Sequence, residues 1–295
     1  DVLDGIATLV DQNLIKPMES SAGEARFTML ETVRDYGLEQ LTASPEAAVT
    51  RQRHAHFFVA LAEAIEPRLA GPSPQNELER ARLRSELDNL RLVFAWSQSP
   101  SPQDAQMCAE AGARLACALA FFPFGVDHMH ELRGWLETAL QWVEAPTAVR
   151  AKALWGAGMS AIVHGEYHIA RTELEESVAL CRTVDNPSQL AAALRELCLV
   201  AYTQRDLTAA QRYGEESLAL YRTLNRQADL ALALEGLGST YVHQGNLAAA
   251  RPLFEEQLSI GRLLDKATLR SGALVGLGWI ARLQGDFTTA YAHFT

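Results

Sequence analysis

From residue 150 onward, apolar and polar positions fall into register every forty residues. Leu154, Leu194, Leu234 and Leu274 share one column, and Gly165, Arg205, Gly245 and Gly285 share another. Tyr167, Leu207, Leu247 and Phe287 come next, then Ala170, Ala210, Ala250 and Ala290. The pairs Glu175-Glu176, Glu215-Glu216 and Glu255-Glu256 align, as do the apolar Leu180, Leu220 and Ile260. Self-similarity at a fixed period marks a repeat array, in which each unit buries its apolar face against its neighbours. Each unit reads as a helical hairpin: a helically periodic apolar stretch, a turn holding Gly, and a second amphipathic stretch beginning near the aligned Ala. Gly at that turn can take the left-handed conformation that ends the first helix. Arg205 carries a side chain there and is expected to bring strain or a different turn. Small residues recur inside the first helix at Gly158, Cys198, Gly238 and Gly278. Gly costs about 1 kcal/mol against Ala within a helix, so this recurrence points to close helix packing.

A degenerate earlier unit is expected over residues 105–143, with Asp127 at its turn and Leu132, Leu136, Ala139 and Leu140 on its second helix. Its spacing to the next unit is 38 residues, and Pro146 marks a shortened connection. The pattern stops partway through a second helix at residues 290–295, so further repeats are expected beyond it. The amino-terminal third reads differently. A short helix through Val10 precedes Leu14-Ile15-Lys16-Pro17-Met18, a polar turn Ser20-Ser21-Ala22-Gly23-Glu24 and Arg26-Phe27-Thr28-Met29-Leu30. This predicts a two-stranded hairpin followed by a helix over residues 31–41. Two amphipathic helices are expected over residues 53–69 and 76–96, separated by Pro67, Gly71, Pro72 and Pro74.

The small residues of the first helix, the Ala column of the second, and Leu174, Gly214, Phe254 and Phe294 four residues later together resemble the tetratricopeptide repeat. The resemblance covers residues 150–295, with three departures: a period longer than the usual one of about 34, no Trp in the first column, and Gly214 in place of a bulky packer. The hairpin with its flanking helices resembles the tail of a winged-helix domain. The segment from Arg26 to Tyr36, RFTMLETVRDY, resembles the one closing the ATPase module of STAND-class (NB-ARC-like) regulators, bacterial relatives of apoptotic ATPases. That resemblance implies a mainly α chain in three parts. Residues 1–45 would be the C-terminal part of a winged-helix domain, 46–100 a helical linker, and 101–295 a tetratricopeptide-like α-α superhelix truncated at its C-terminus. Ser85-Glu86-Leu87-Asp88-Asn89-Leu90-Arg91 resembles the family's acidic-Asp-Asn-Leu-Arg motif, so Asp88 and Asn89 either anchor the neighbouring helix or form solvated surface with one capping contact. Where the family's winged helix often carries a His beside an Asp, this chain has Leu30-Glu31, and a phosphate contact does not carry over.

Composition narrows the functional classes. Hydrophobic residues make up 48% of the chain, enough for one long core or two compact ones. The longest mostly apolar run, residues 115–126, is broken by Pro123 and falls short of the roughly 20 residues that span a bilayer. No membrane association is expected, and without an export signal the chain reads as a cytoplasmic fragment cut at both ends. Cys108, Cys117, Cys181 and Cys198 form no C-x-x-C pair and are expected to be buried thiols. The formal charge is −10 with basic residues scattered, so no nucleic acid is expected to bind this fragment alone. There is no G-x-x-x-x-G-K-[ST] phosphate loop, so no cofactor is expected, and any P-loop half would lie upstream of Asp1. His164 and His168 are separated by the turn at Gly165, and together with His128 and His130 they are expected to be solvated rather than metal-binding. No Ser or Cys has a nucleophile signature, so no catalytic residue and no enzyme is expected.

What remains is binding. In a superhelix of hairpins the first helices line the concave face, and their outward positions recur at fixed offsets. These give Trp155, Met159, Arg195, Tyr202, Glu235, His243, Trp279 and Arg282 as the expected partner-binding residues, with Ile162, Val163, Leu199, Thr203, Ser239, Val242, Val275 and Leu283 beside them. Aromatic and Arg side chains at such places are what binding hot spots use. The alternative is that Trp155, Met159 and Trp279 pack between units. The expected function is a non-catalytic sensor region of a larger signalling ATPase and transcriptional regulator, binding a protein, a peptide or a small effector in the groove. A structural scaffold for assembly and an accessory repeat region of a cyclase- or kinase-linked protein are the alternatives.

Overall fold

Between residues 167 and 283, six helices of seventeen residues each follow one another in steps of twenty. They are α9 (Tyr167–Thr183), α10 (Pro187–Thr203), α11 (Leu207–Thr223), α12 (Gln227–His243), α13 (Leu247–Leu263) and α14 (Ala267–Leu283). The computed structural model describes residues 2–18, 26–68, 74–98, 105–120, 126–143, 145 and 147–294. Its remaining helices in the repeat region are α6 (Ala105–Leu119), α7 (Val126–Trp142), α8 (Ala148–Val163) and α15 (Phe287–Phe294). The fold is mainly α, a tetratricopeptide-like superhelical repeat with one small two-stranded sheet. The chain divides into two compact units, residues 1–100 and 101–295.

The turns explain the regular step. The second of the three residues joining each helix to the next is left-handed, at Gly165 (φ 76°), Asp185 (52°), Arg205 (66°), Asn225 (52°), Gly245 (77°), Asp265 (47°) and Gly285 (82°). The following N–H reaches back five residues, Glu166 to Ala161, Asp206 to Ala201 and Asn246 to Tyr241 among them, closing a Schellman turn on the orphan carbonyls. At Asn186, Asp206, Asn246 and Asp286 the side chain of that same residue accepts from the N–H three residues on and caps the next helix. One residue thus ends one helix and starts another. Arg205 adopts the same turn as its glycine counterparts, so of the two expectations for it the different turn is not realised.

In the hairpins α8–α9, α12–α13 and α14–α15 a small residue faces a large one. A Cβ on Gly158 would lie 2.7 Å from Leu174, one on Gly238 2.8 Å from Phe254, and one on Gly278 2.6 Å from Phe294. In α10–α11 Gly214 replaces the bulky residue and faces the Cys198 thiol, with Leu237 of the next unit filling the space. The Ala column, Ala170, Ala210, Ala250 and Ala290, is buried beside these contacts. First helices touch their own second helix and the first helix of the next unit, as α8, α10, α12 and α14 do in succession. The earlier unit is present as α6 and α7, with Leu132, Leu136 and Ala139 buried. Because α7 starts at Val126, Asp127 sits in its first turn. Arg150 on α8 donates to the carbonyls of Leu140 and Val143 at the end of α7 and pairs with Glu176 on α9. All four cysteines are buried thiols.

Unit 1 contains α1 (Val2–Asp11), β1 (Ile15–Met18), β2 (Arg26–Met29), α2 (Glu31–Ala43), α3 (Ala47–Ile65), a 3-10 turn (Glu66–Arg68), α4 (Pro74–Ser85) and α5 (Leu87–Gln98). The strands pair antiparallel, with Ile15 opposite Met29 and Met18 opposite Arg26. α3 packs on α5, burying Phe58, Val59, Ala62 and Ile65 with Leu90, Val93 and Phe94. The helix expected over 76–96 is two helices broken at Glu86. There Arg26 of β2 donates to the Ser85 hydroxyl and carbonyl and pairs with Glu86. In the motif that follows, Asn89 bonds Glu86, while Asp88 is 91% exposed and pairs with the neighbouring Arg91. Burial lowers the pKa of the half-buried His54 on α3, with the Asn89 hydrogen bond and the Glu86 charge opposing it. The anchor is therefore Glu86 with Asn89, and Asp88 is solvated. The polar turn 20–24, Gly71, Pro72, Pro123 and Pro146 lie outside the described residues.

Candidate binding groove

A groove of about 460 Å³ runs across three successive first helices. α10 contributes Tyr202, α12 Glu235, Ser239, Val242 and His243, and α14 Gly272, Val275, Gly276, Trp279 and Leu283, with Phe254 of α13 at the base. These positions meet because each first helix contacts the next at the same face, so residues forty apart in sequence become neighbours. Tyr202 and His243 make the plainest example: their rings are perpendicular with centroids 4.9 Å apart. The His243 Nδ1 lies 3.1 Å from the Ser239 carbonyl and 3.0 Å from the Tyr202 hydroxyl, with Nε2 3.2 Å from that hydroxyl. If Nδ1–H donates to Ser239, Nε2 is left to accept from Tyr202. Burial pushes the Tyr202 phenol up, with Arg205 opposing, so it stays a donor at neutral pH.

Of the eight expected partner-binding residues, the structure gathers Tyr202, Glu235, His243 and Trp279 along this groove. Arg282 lies over the Trp279 ring, 4.7 Å from its centroid, and both are exposed. The other three sit elsewhere. Trp155 is 8% exposed and belongs to the core of the first units, with Met159 packed against that core, the arrangement posed above as the alternative for these two. Arg195 is turned between Glu196 and Asp229, at 2.5 and 3.5 Å. Burial opposes its charge most strongly, but Glu196, Tyr221 and Asp229 together outweigh it and raise the guanidinium pKa. An outward offset on a helix fixes where Cβ points, and a long side chain can still fold back to an acid on the next helix.

Phe254, Gly272 and Gly276 were not anticipated. Phe254 was assigned to the hairpin interior, where its ring does pack, and it also floors the groove. Gly272 and Gly276 fall outside the aligned small column, and their density in residues 272–278 was the available signal. Among the described residues no group of His, Cys, Asp and Glu is placed to hold a metal ion. His130 and His164 approach with ring centroids 5.0 Å apart. No helix among the described residues is long and apolar enough to cross a membrane.

No protein-family model matches the chain. Proteins of Mycobacterium tuberculosis H37Rv and Mycobacterium bovis that carry the name HTH-type transcriptional regulator are each 32% identical over 204 residues, covering 65% of this chain and 22% of their own length. The chain thus matches less than a quarter of those relatives. Among solved structures, the signal transduction ATPase with numerous domains (STAND) from Pyrococcus horikoshii, described with a tetratricopeptide repeat sensor, superimposes with a TM-score of 0.57 at 13% identity, covering 97% of this chain and 56% of that one. The Rap conjugation gene regulator of plasmid pLS20, solved with the Phr* peptide, gives a TM-score of 0.50 at 13% identity over 82% of this chain and 73% of that one. At these identities the solved structures speak for the fold: a tetratricopeptide-like array of helical hairpins.

Proposed function

We propose that this chain is the sensor region of a STAND-type transcriptional regulator working in the cytoplasm, and that its repeat array binds a peptide or protein segment in the groove across α10, α12 and α14. The observation that carries this reading is the groove itself, where Trp279, Val275 and Leu283 remain 44, 44 and 56% exposed beside the Tyr202–His243 pair. Large apolar side chains held in water on a rigid concave surface, with polar groups interleaved, are what a partner's contact area would cover. The mycobacterial regulators, the archaeal STAND protein with its repeat sensor and the peptide-bound Rap regulator support the same direction. In this reading the array acts by binding, without catalysis. Residues 1–45 are the end of a winged-helix domain and 46–100 a helical linker. The exposed Val2, Leu3, Met18 and Tyr36 are surface that neighbouring parts of a larger domain would cover.

The test is a phage-displayed dodecapeptide library panned on the immobilised chain, with recovered peptides titrated by calorimetry. Tyr202→Ala/Trp279→Ala is expected to weaken binding about tenfold or more at unchanged helicity, while Glu176→Ala/Glu216→Ala on the second helices leaves it intact. The reverse pattern moves the site to the outer face and ends the groove reading.

A further inference from the structure

Glu235 is half-buried on α12, and no other groove-lining residue is an acid, a lysine or an arginine. Its Oε2 accepts a 2.8 Å hydrogen bond from Nε2 of Gln257, which is fully buried. Gln257 occupies the column where Ser177 and Ser217 each donate to a carbonyl of their own first helix, Ala151 and Ala191. The third unit departs from that pattern and turns a longer amide onto Glu235. Gly272 on α14 keeps the approach open: a Cβ there would lie 2.7 Å from the Glu235 carboxylate, and the aligned positions of the other units are Lys152, Ala192 and Leu232. A carboxylate held by a buried amide, with Trp279 and Phe254 nearby, complements a cation on an apolar stem.

We infer that the groove takes a basic side chain of a bound peptide, its guanidinium or ammonium on Glu235 and its stem against Trp279. This rests on the reading of the groove as a peptide site and names the residue class that the site selects. A peptide is the occupant because the groove crosses three helices, more than an amine of side-chain size would fill. One anionic acceptor among apolar walls also rejects an acidic residue at the same place.

The experiment titrates the full chain with labelled heptapeptide pools, randomised in Ala, Leu, Phe and Ser around a fixed central Arg, Lys, Leu or Glu. Arg- and Lys-centred pools are expected to bind about tenfold tighter than the Leu-centred pool, and the Glu-centred pool weaker still. Glu235→Gln is expected to bring the Arg pool to the level of the Leu pool. Gly272→Ala, which improves helix propensity while crowding the carboxylate, is expected to do the same. Equal binding of the Arg and Leu pools, or an Arg preference that survives Glu235→Gln, overturns the cation assignment. If Tyr202→Ala/Trp279→Ala still weakens all pools in that case, the groove reading stands. Pools that bind but ignore Tyr202→Ala/Trp279→Ala sink the groove reading itself. Agmatine matching the Arg pool replaces the peptide by a small cation, and failure of every pool to bind overturns the proposal.

Discussion

Glu173 on α9 is partly buried, and among the described residues its Oε2 has no hydrogen-bond partner. Burial pushes its carboxyl up to about 7; Arg133 opposes this, and Glu137, Glu166 and Glu176 reinforce it. Arg133 is already engaged by Glu137 and Glu166, which limits what it can offer. In the unfolded chain the same carboxyl titrates near its ordinary value of 4.5. Between those values the folded state binds more protons, so this group's contribution to stability is fully present at low pH and is lost as pH rises toward 7. Glu173→Gln is expected to raise the melting temperature at pH 8 and to change it little at pH 4.5, where wild-type Glu173 is protonated in the fold. Equal shifts at both pH values would remove titration as the cause. Arg195 carries a complementary lesson in reading residues. Its offset on the helix was visible in sequence, but its pairing with Asp229 depends on how α10 and α12 stack, a distance no local pattern encodes.

At the scale of elements, much of the array was legible because its turns are local. The glycine column marks the ends of the first helices, and the Ala and Glu columns set the register of the second. The matching column between hairpins, Asp185, Asn225 and Asp265, went unread because it holds no Gly, although Asn and Asp also tolerate the left-handed region. The break at Glu86 has no local signal, and the side chain that meets Ser85 there, Arg26, lies 59 residues away. Arg205 gives the turn chemistry a direct test. A side chain in the left-handed region costs about 1 to 2 kcal/mol, partly offset by the greater unfolded-state freedom of Gly. Arg205→Gly is therefore expected to stabilise the array by up to about 1 kcal/mol in urea unfolding, and Gly245→Arg to destabilise it. An unchanged or lower midpoint for Arg205→Gly would show that the turn carries no strain.

For the molecule as a whole, units joined only to their neighbours should lose structure locally. The exposed ion pairs Arg182–Glu216 and Arg222–Glu256 link adjacent units but add little, leaving cohesion to apolar contacts and to less exposed polar bonds such as Arg195–Asp229. Ala290→Asp in α15 is expected to speed amide hydrogen exchange in α14 and α15 while α8 to α11 keep their protection. Uniform loss of protection across the array would mean that it unfolds as one cooperative body. The shared turn residue, closing one helix and capping the next, has a mechanical consequence. Where a joint is hydrogen-bonded on both sides, as at Asn186, Asp206, Asn246 and Asp286, the array has no loose corner at which to fold like a door. Strain from an occupant between α10 and α14 must be shared as small rotations at every interface, as in a coil spring. Such a body is suited to report occupancy as a displacement that accumulates with each unit, so the number of repeats sets the length of the stroke.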